Sequence, residues 1–280
     1  MSRRNPTLGL LIPAYIYPRA HESDPYPSLR NWTPLLTLLQ THPTIPTTLI
    51  LNPASGPGPS PLPDEVYAHA IATLRTTCPH VTLVGYVATG YTRVSLAKAV
   101  EEVGRYAGWR VGQGVAEVGG GGDAGPGVTQ TLALDGIFFD EVGSDEAGKG
   151  YYHTLAEEVV RHFAGRTVAC TTPVVIHNPG VVPSGPWPFR PAAVTGDAPG
   201  WNGIAEPIVV VSERKAVDYS PVSPRIAALD AKEAEGYRVM PERCAVILNR
   251  VETRKMAEDV LTRILMDDRV GWVWFTEDDQ

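Results

Sequence analysis

Asp140 and Glu141 end the apolar run Asp135–Glu141 (DGIFFDE). Two adjacent acids at the end of a buried strand cost desolvation unless they hold a proton, a ligand or a partner. Neighbouring strand residues point to opposite faces, so only one of the pair can look straight out of the strand end. The other must turn sideways under a loop or pair with a neighbour. Glu213, behind Val209-Val210-Val211-Ser212, is the natural second carboxylate. Two carboxyl groups across one bond suit glycoside hydrolysis. One donates a proton to the leaving oxygen, its pKa raised by burial or a like charge, and the other attacks the anomeric carbon or activates water. A separation of about 5–5.5 Å implies retention of configuration and about 6.5–9.5 Å inversion. The plainer readings are that Asp140 and Glu141 cap the strand or pair with an arginine, and that Glu213 is an exposed strand-end acid beside Arg214 and Lys215.

Other strand ends carry side chains that bind sugars well. Tyr15 and Tyr17 follow the first apolar run and Asn52 closes the second; the third offers Tyr86, Thr89 and Tyr91. His177 and Asn178 close the fifth, Asn249 the seventh, and Trp274 and Glu277 lie at the eighth. Aromatic faces cover apolar sugar faces, while amides and carboxylates bind hydroxyls. Alone at a strand end, His177 is more often a hydrogen-bonded structural histidine than a catalyst. No Gly-x-Ser-x-Gly elbow or His-Glu-x-x-His motif occurs, so serine-hydrolase and zinc-protease chemistry has no support. His177, Asp140 and Glu141 lack strong metal-ligand spacing, and no cofactor is expected.

These residues need a frame that gathers strand ends. Eight short β-branched runs supply it: Leu8–Pro13, Thr47–Asn52, Val81–Val87, Asp135–Glu141, Pro173–Asn178, Pro207–Ser212, Cys244–Asn249 and Gly271–Thr276. Nearly continuous hydrophobicity over such short runs fits parallel strands buried on both faces. Helical spacing is predicted between most of them, over Leu29–Thr41, Asp64–Thr77, Val94–Trp109, Tyr151–Phe163, Pro224–Glu235 and Arg254–Met266. Eight such strands alternating with helical segments through 280 residues fit one (β/α)8 barrel spanning residues 1–280. An open nucleotide-binding sheet would want a glycine-rich first turn, and the turn here is Pro13-Ala14-Tyr15-Ile16-Tyr17-Pro18. In a barrel of this kind active sites lie at the C-terminal strand ends. Two segments break the alternation. The glycine-rich Arg110–Gln130 reads as a surface insertion before the fourth strand, at the end of the barrel away from chemistry. Pro179–Glu206 has no helical period and reads as an irregular wall or lid carrying Trp187 and Trp201.

Composition narrows the partners. Acidic residues outnumber basic ones, 31 to 24, and no Lys/Arg cluster appears, so a nucleic-acid partner is not expected. A net charge of −7 favours a neutral or cationic substrate over a phosphorylated one. Cys78, Cys170 and Cys244 form neither a disulfide framework nor a zinc motif. The first apolar run, Leu8–Pro13, is short of an export-signal core, and no run approaches the length of a membrane span. A chain whose leader had been removed would look the same, so localisation and oligomeric state stay open.

Taken in order, LLIPAYIYP, LILNPASGPG, VGYVATGYTRV, LDGIFFDE and IHNPG resemble the spherulation-specific family 4, or spherulin-4-like, proteins of glycoside hydrolase family 135. The resemblance runs from about Leu10 to Phe275. It implies a (β/α)8 barrel that hydrolyses α-1,4-linked N-acetylgalactosamine within galactosaminogalactan, a fungal polysaccharide. It also implies that Asp140 is the nucleophile and Glu213 the acid/base, with Glu141 orienting or tuning them. Two other classes compete. A sugar-binding barrel without catalysis would keep the aromatics and lose the geometry at Glu213. An isomerase or aldolase on a phosphorylated substrate would want phosphate loops after strands seven and eight, and those segments are acidic and lack glycine.

Overall fold

The computed structural model describes residues 8–24, 28–109, 132–184, 208–230, 243–266 and 270–277. Eight parallel strands close into a barrel in chain order. They are β1 (Gly9–Ala14), β2 (Thr47–Leu51), β3 (Thr82–Ala88), β4 (Gly136–Asp140), β5 (Val174–His177), β6 (Ile208–Lys215), β7 (Cys244–Asn249) and β8 (Trp272–Phe275). Closure runs through Gly9 and Leu10 of β1 against Trp272 and Val273 of β8. The helices between strands are α1 (Thr33–Thr41), α2 (Glu65–Thr77), α3 (Leu96–Ala107), α4 (Lys149–Phe163), α5 (Ser223–Asp230) and α6 (Arg254–Met266). This is the predicted (β/α)8 barrel. The glycine-rich segment, and most of the irregular segment with Trp187 and Trp201, lie outside the described residues, as does the second half of the helix predicted over Pro224–Glu235.

Alternation along the strands divides the core in two. Leu11, Ile50, Val84, Phe138, Ile176, Val210, Ala245 and Ile247 pack together inside the barrel, with no helical residue among them. Their strand neighbours, such as Ile12, Leu49, Val87, Ile137, Phe139 and Val175, pack outward with α2, α3 and α4. A filled lumen of branched and aromatic side chains makes the barrel a core rather than a pore. Helix–sheet packing is close at Gly85, where an added Cβ would stand 2.6 Å from the Tyr106 ring of α3.

The end of the barrel at which the strands begin is tied by a buried ion pair. Asp135, just before β4, is fully buried and accepts from Arg75 of α2 at 2.9 Å. It also accepts from the backbone N–H groups of Leu83, Val168 and Ala169. Arg75 donates further to the carbonyls of Val81 and Ala133. A buried charge is tolerable only when saturated in this way. Asp135 was expected to open β4 as one more strand residue; its carboxylate instead joins β3, β4, α2 and the segment leading to β5.

Candidate active site

The opposite end of the barrel gathers the polar strand ends. Phe138 faces the lumen and Phe139 faces outward, so Asp140 faces the mouth. The Tyr86 hydroxyl donates to Asp140 Oδ2 at 2.8 Å, and Asn178 Nδ2 donates to Asp140 Oδ1 at 2.8 Å. Tyr86 is held by stacking on Phe138, centroids 6.1 Å apart, and by edge contact with Tyr15 at 5.6 Å. Burial, followed by the charge of Asp140, pushes both phenols well above their ordinary range. Tyr86 therefore stays a proton donor to the carboxylate.

Glu141 does not continue the strand. Its φ is +52°, a left-handed conformation that costs a non-glycine residue roughly 1–3 kcal/mol and needs outside support. The support comes from the loop after β3. The Glu141 carbonyl accepts from the Tyr91 N–H at 2.7 Å and the Thr89 hydroxyl at 2.8 Å. The Asp140 carbonyl accepts from the Thr89 N–H at 3.0 Å. The turn interrupts alternation, so that Val142 packs into the outer core while the Glu141 charge acts on the Tyr86 hydroxyl. This is the sideways turn expected of one member of the pair, made by the backbone.

Glu213 was expected to follow the sixth strand, and it lies within it. Counting alternate residues from inward-facing Val210 would turn Glu213 toward the helices. A β-bulge prevents this. Val210 pairs with Ala245, but the next pairing is Ser212 with Val246, and then Glu213 with inward-facing Ile247. The extra residue, Val211, packs in the outer core, and Glu213 regains the inward phase. Bulges re-aim side chains in this way. The Glu213 N–H donates to the Gly180 carbonyl at 2.9 Å, and Asn178 Nδ2 donates to Glu213 Oε2 at 2.5 Å. Burial, then the negative charge of Asp140, raises the Glu213 pKa above the ordinary carboxylate value, against the opposing pull of the Asn178 hydrogen bond.

One amide nitrogen thus touches both carboxylates. The nearest oxygens of Asp140 and Glu213 can be no farther apart than the two bonds laid end to end, about 5.3 Å.

The remaining predicted site residues divide. Tyr15, just after β1, and Asn249 and Trp274, on β7 and β8, face the mouth by continued alternation. Asn249 Oδ1 and Trp274 Nε1 are shielded from solvent without a hydrogen-bond partner among the described residues. Asn52 spends its Oδ1 on the N–H of Gly56, holding the loop after β2. Tyr17 stands off at the N-terminus of α2, donating to Asp64 and edge-on to Tyr67. Tyr91 is 54% exposed on the rim, in a left-handed conformation, with Arg93 over its ring. Asn178, expected to bind substrate, bridges the acids instead.

His177 is a correction. It was expected to line the substrate site, but it is the outward-facing neighbour of Ile176 and Asn178. Its ring packs on Phe139 and against Tyr152 of α4, between sheet and helix. Burial, with a smaller effect of His153, pushes its pKa down to about 3, so the ring is neutral.

Gly180 was not singled out, and Thr89, expected among the sugar-binding strand ends, instead holds the Asp140–Glu141 turn through its hydroxyl and N–H. Gly180 has φ +66°, donates to Asn178 Oδ1 at 3.0 Å, and leaves the space beside Glu213 Oε2 that a larger residue would enter. Its signal was only the glycine in IHNPG. Among the described residues no group of three His, Cys, Asp or Glu side chains could hold a metal ion, and no helix is long and apolar enough to cross a membrane.

Residues 9–280 match the sequence pattern of spherulation-specific family 4. The chain belongs to this family. Among solved structures, Aspergillus clavatus Sph3 in complex with GalNAc superposes with a TM-score of 0.67 at 22% identity, covering 98% of this chain and 91% of that one. PbGH5A, a glycoside hydrolase family 5 enzyme from Prevotella bryantii, aligns at a TM-score of 0.47 and 9% identity over 97% of this chain and 89% of that one. The likeness to Sph3 is one of fold. No curated protein sequence matches.

Proposed function

We propose that this member of the spherulation-specific family 4 is a retaining endo-glycosidase acting on an α-1,4-linked N-acetylgalactosamine polymer such as galactosaminogalactan. The observation that carries the reading is the closeness of Asp140 and Glu213, whose nearest oxygens lie within about 5.3 Å. Retaining enzymes place their carboxyl groups about 5–5.5 Å apart, whereas an inverting pair needs room for water, about 6.5–9.5 Å.

The pair divides the work by environment. Glu213 has its pKa raised by burial and by Asp140, so it keeps a proton for the leaving group. Asp140 accepts hydrogen bonds at both oxygens and is the nucleophile. An Asp140 oxygen bonds to the anomeric carbon while the glycosidic C–O bond breaks and the Glu213 proton passes to the departing oxygen. In the second half, Glu213 takes a proton from water, the water oxygen bonds to the anomeric carbon, and Asp140 leaves as a carboxylate. The substrate class rests on the family's implied activity and on the GalNAc bound by Sph3. An excess of acidic residues, 31 against 24, also suits a neutral or partly cationic amino-sugar polymer.

The test follows reducing ends and product size on purified galactosaminogalactan with wild type, Asp140→Asn and Glu213→Gln. Oligosaccharide release by wild type, and a loss of at least about a hundredfold in each variant, is expected from removing a nucleophile or a general acid. Binding without cleavage by wild type on this and other hexosamine polymers would make the chain a sugar-binding barrel.

A further inference from the structure

The bridging amide has a role that neither carboxylate has alone. Asn178 follows β5 with its side chain in the mouth, and its backbone is clamped from both sides. Its N–H donates to the Phe139 carbonyl at 2.9 Å, and its carbonyl accepts from the Val142 N–H at 3.0 Å. Its Oδ1 accepts from Gly180 N–H at 3.0 Å. That bond decides which half of the amide faces the acids: the oxygen is occupied by a donor, so the NH2 group points at Asp140 and Glu213. An amide NH2 has two hydrogens, and the two carboxylates take one each.

We infer that Asn178 is a positioning residue that holds Asp140 and Glu213 at a fixed separation and confines the acidic proton of Glu213 to Oε1. The inference rests on the proposed roles of the two acids for its meaning in catalysis, but not for its effect on their ionisation. Oε2 already accepts from Asn178, so in the neutral carboxyl group Oε2 is the carbonyl oxygen and Oε1 carries the hydrogen. A proton on Oε2 would have to displace that bond. The same donor favours the ionised form of Glu213. It thereby keeps Glu213 able to return to carboxylate, as the second half-reaction requires. Without it, burial and the neighbouring negative charge would act unopposed.

The groups that bear on Glu213 are Asp140 of β4, which raises its pKa directly, and Asn178, which lowers it. Among the described residues Tyr15, just after β1, and Tyr86 of β3 face the same space, and Glu141 acts on Tyr86. Both phenols are neutral at working pH, so removing the Asn178 donor leaves Asp140 dominant and moves Glu213 upward.

The experiment is a 13C carboxyl NMR titration of the Glu213 side chain in the full chain, in wild type, Asn178→Ala and Asn178→Asp, beside the pH profile of kcat/KM on galactosaminogalactan. Expected is an upward displacement of the Glu213 midpoint in both variants, larger in Asn178→Asp, where a third acid joins the pair. The basic limb of kcat/KM should move the same way, with kcat lower by about tenfold to a hundredfold, the worth of hydrogen bonds to charged groups, and KM little changed. An unmoved Glu213 midpoint in a folded Asn178→Ala protein overturns the inference. So does a loss confined to KM, which would return Asn178 to substrate binding. If the midpoint moves and wild type cleaves no glycan, the bridge stands and the glycosidase reading falls.

Discussion

Glu213 pairs with Ile247 across the β6–β7 ladder, although a count of alternate residues from lumen-facing Val210 puts Glu213 on the outer face. Val211 and Ser212 together stand opposite Val246. This one irregularity is what brings a second carboxylate to Asp140.

Deleting Val211 should therefore leave Glu213 in phase, because Ser212 then follows Val210 directly and still pairs with Val246. Hydrolysis should persist while thermal stability falls, since fully buried Val211 leaves the outer core. Deleting Val211 and Ser212 together should turn Glu213 outward and abolish activity by about 10²–10⁴-fold, the worth of a positioned acid. Reducing-end assays on both variants, with circular dichroism for folding, decide it. An active double deletion would show that Glu213 is not needed in the mouth.

Replacing Glu213 by Gln should stabilise the protein at neutral pH while removing activity. The Glu213 pKa is raised by burial and by Asp140, so the folded state binds this proton more tightly than the unfolded chain. Stability then falls as pH rises from the ordinary glutamate value, about 4.3, through the raised one. Glutamine carries no such charge. The Tm of Glu213→Gln should exceed that of wild type at pH 7.5, and the difference should vanish at pH 4. A Tm difference that is the same at both pH values would contradict the raised pKa.

Trp274→Phe keeps an aromatic ring and removes Nε1–H, a shielded donor without a partner among the described residues. An orphaned donor costs the free protein and can be repaid only by a ligand acceptor. The variant should be at least as stable as wild type yet bind substrate more weakly, with KM raised by about threefold to thirtyfold for one lost hydrogen bond. Unchanged KM would take Trp274 Nε1 out of the substrate site.

Arg75→Ala should act on stability alone. It strips the partner from fully buried Asp135, and leaving one charge of such a pair costs about 3–5 kcal/mol. Urea unfolding measures the loss. The pair sits at the far end of β4 from Asp140, so activity per folded molecule should be unchanged.

The sequence by itself determined the barrel and the candidates for its chemistry. Short β-branched runs such as Thr47–Leu51 and Cys244–Asn249 can be satisfied only as strands covered on both faces, and that property is local. An acid at the end of such a run, as at Asp140, is equally local, because its desolvation follows from its immediate neighbours. What only the tertiary structure decided is where side chains point once the alternation is broken. The bulge at Val211 and the left-handed turn at Glu141 depend on partners elsewhere in the barrel, Val246 of β7 in one case and Thr89 and Tyr91 of the loop after β3 in the other. His177 and Asn178 are adjacent in sequence and both polar, yet strand pairing sends one between β5 and α4 and the other between two carboxylates. The Arg75–Asp135 pair spans 60 residues of chain, and no local pattern announces it. Composition decides which residues must be buried; the contacts made across the closed sheet decide which face of the barrel each of them meets.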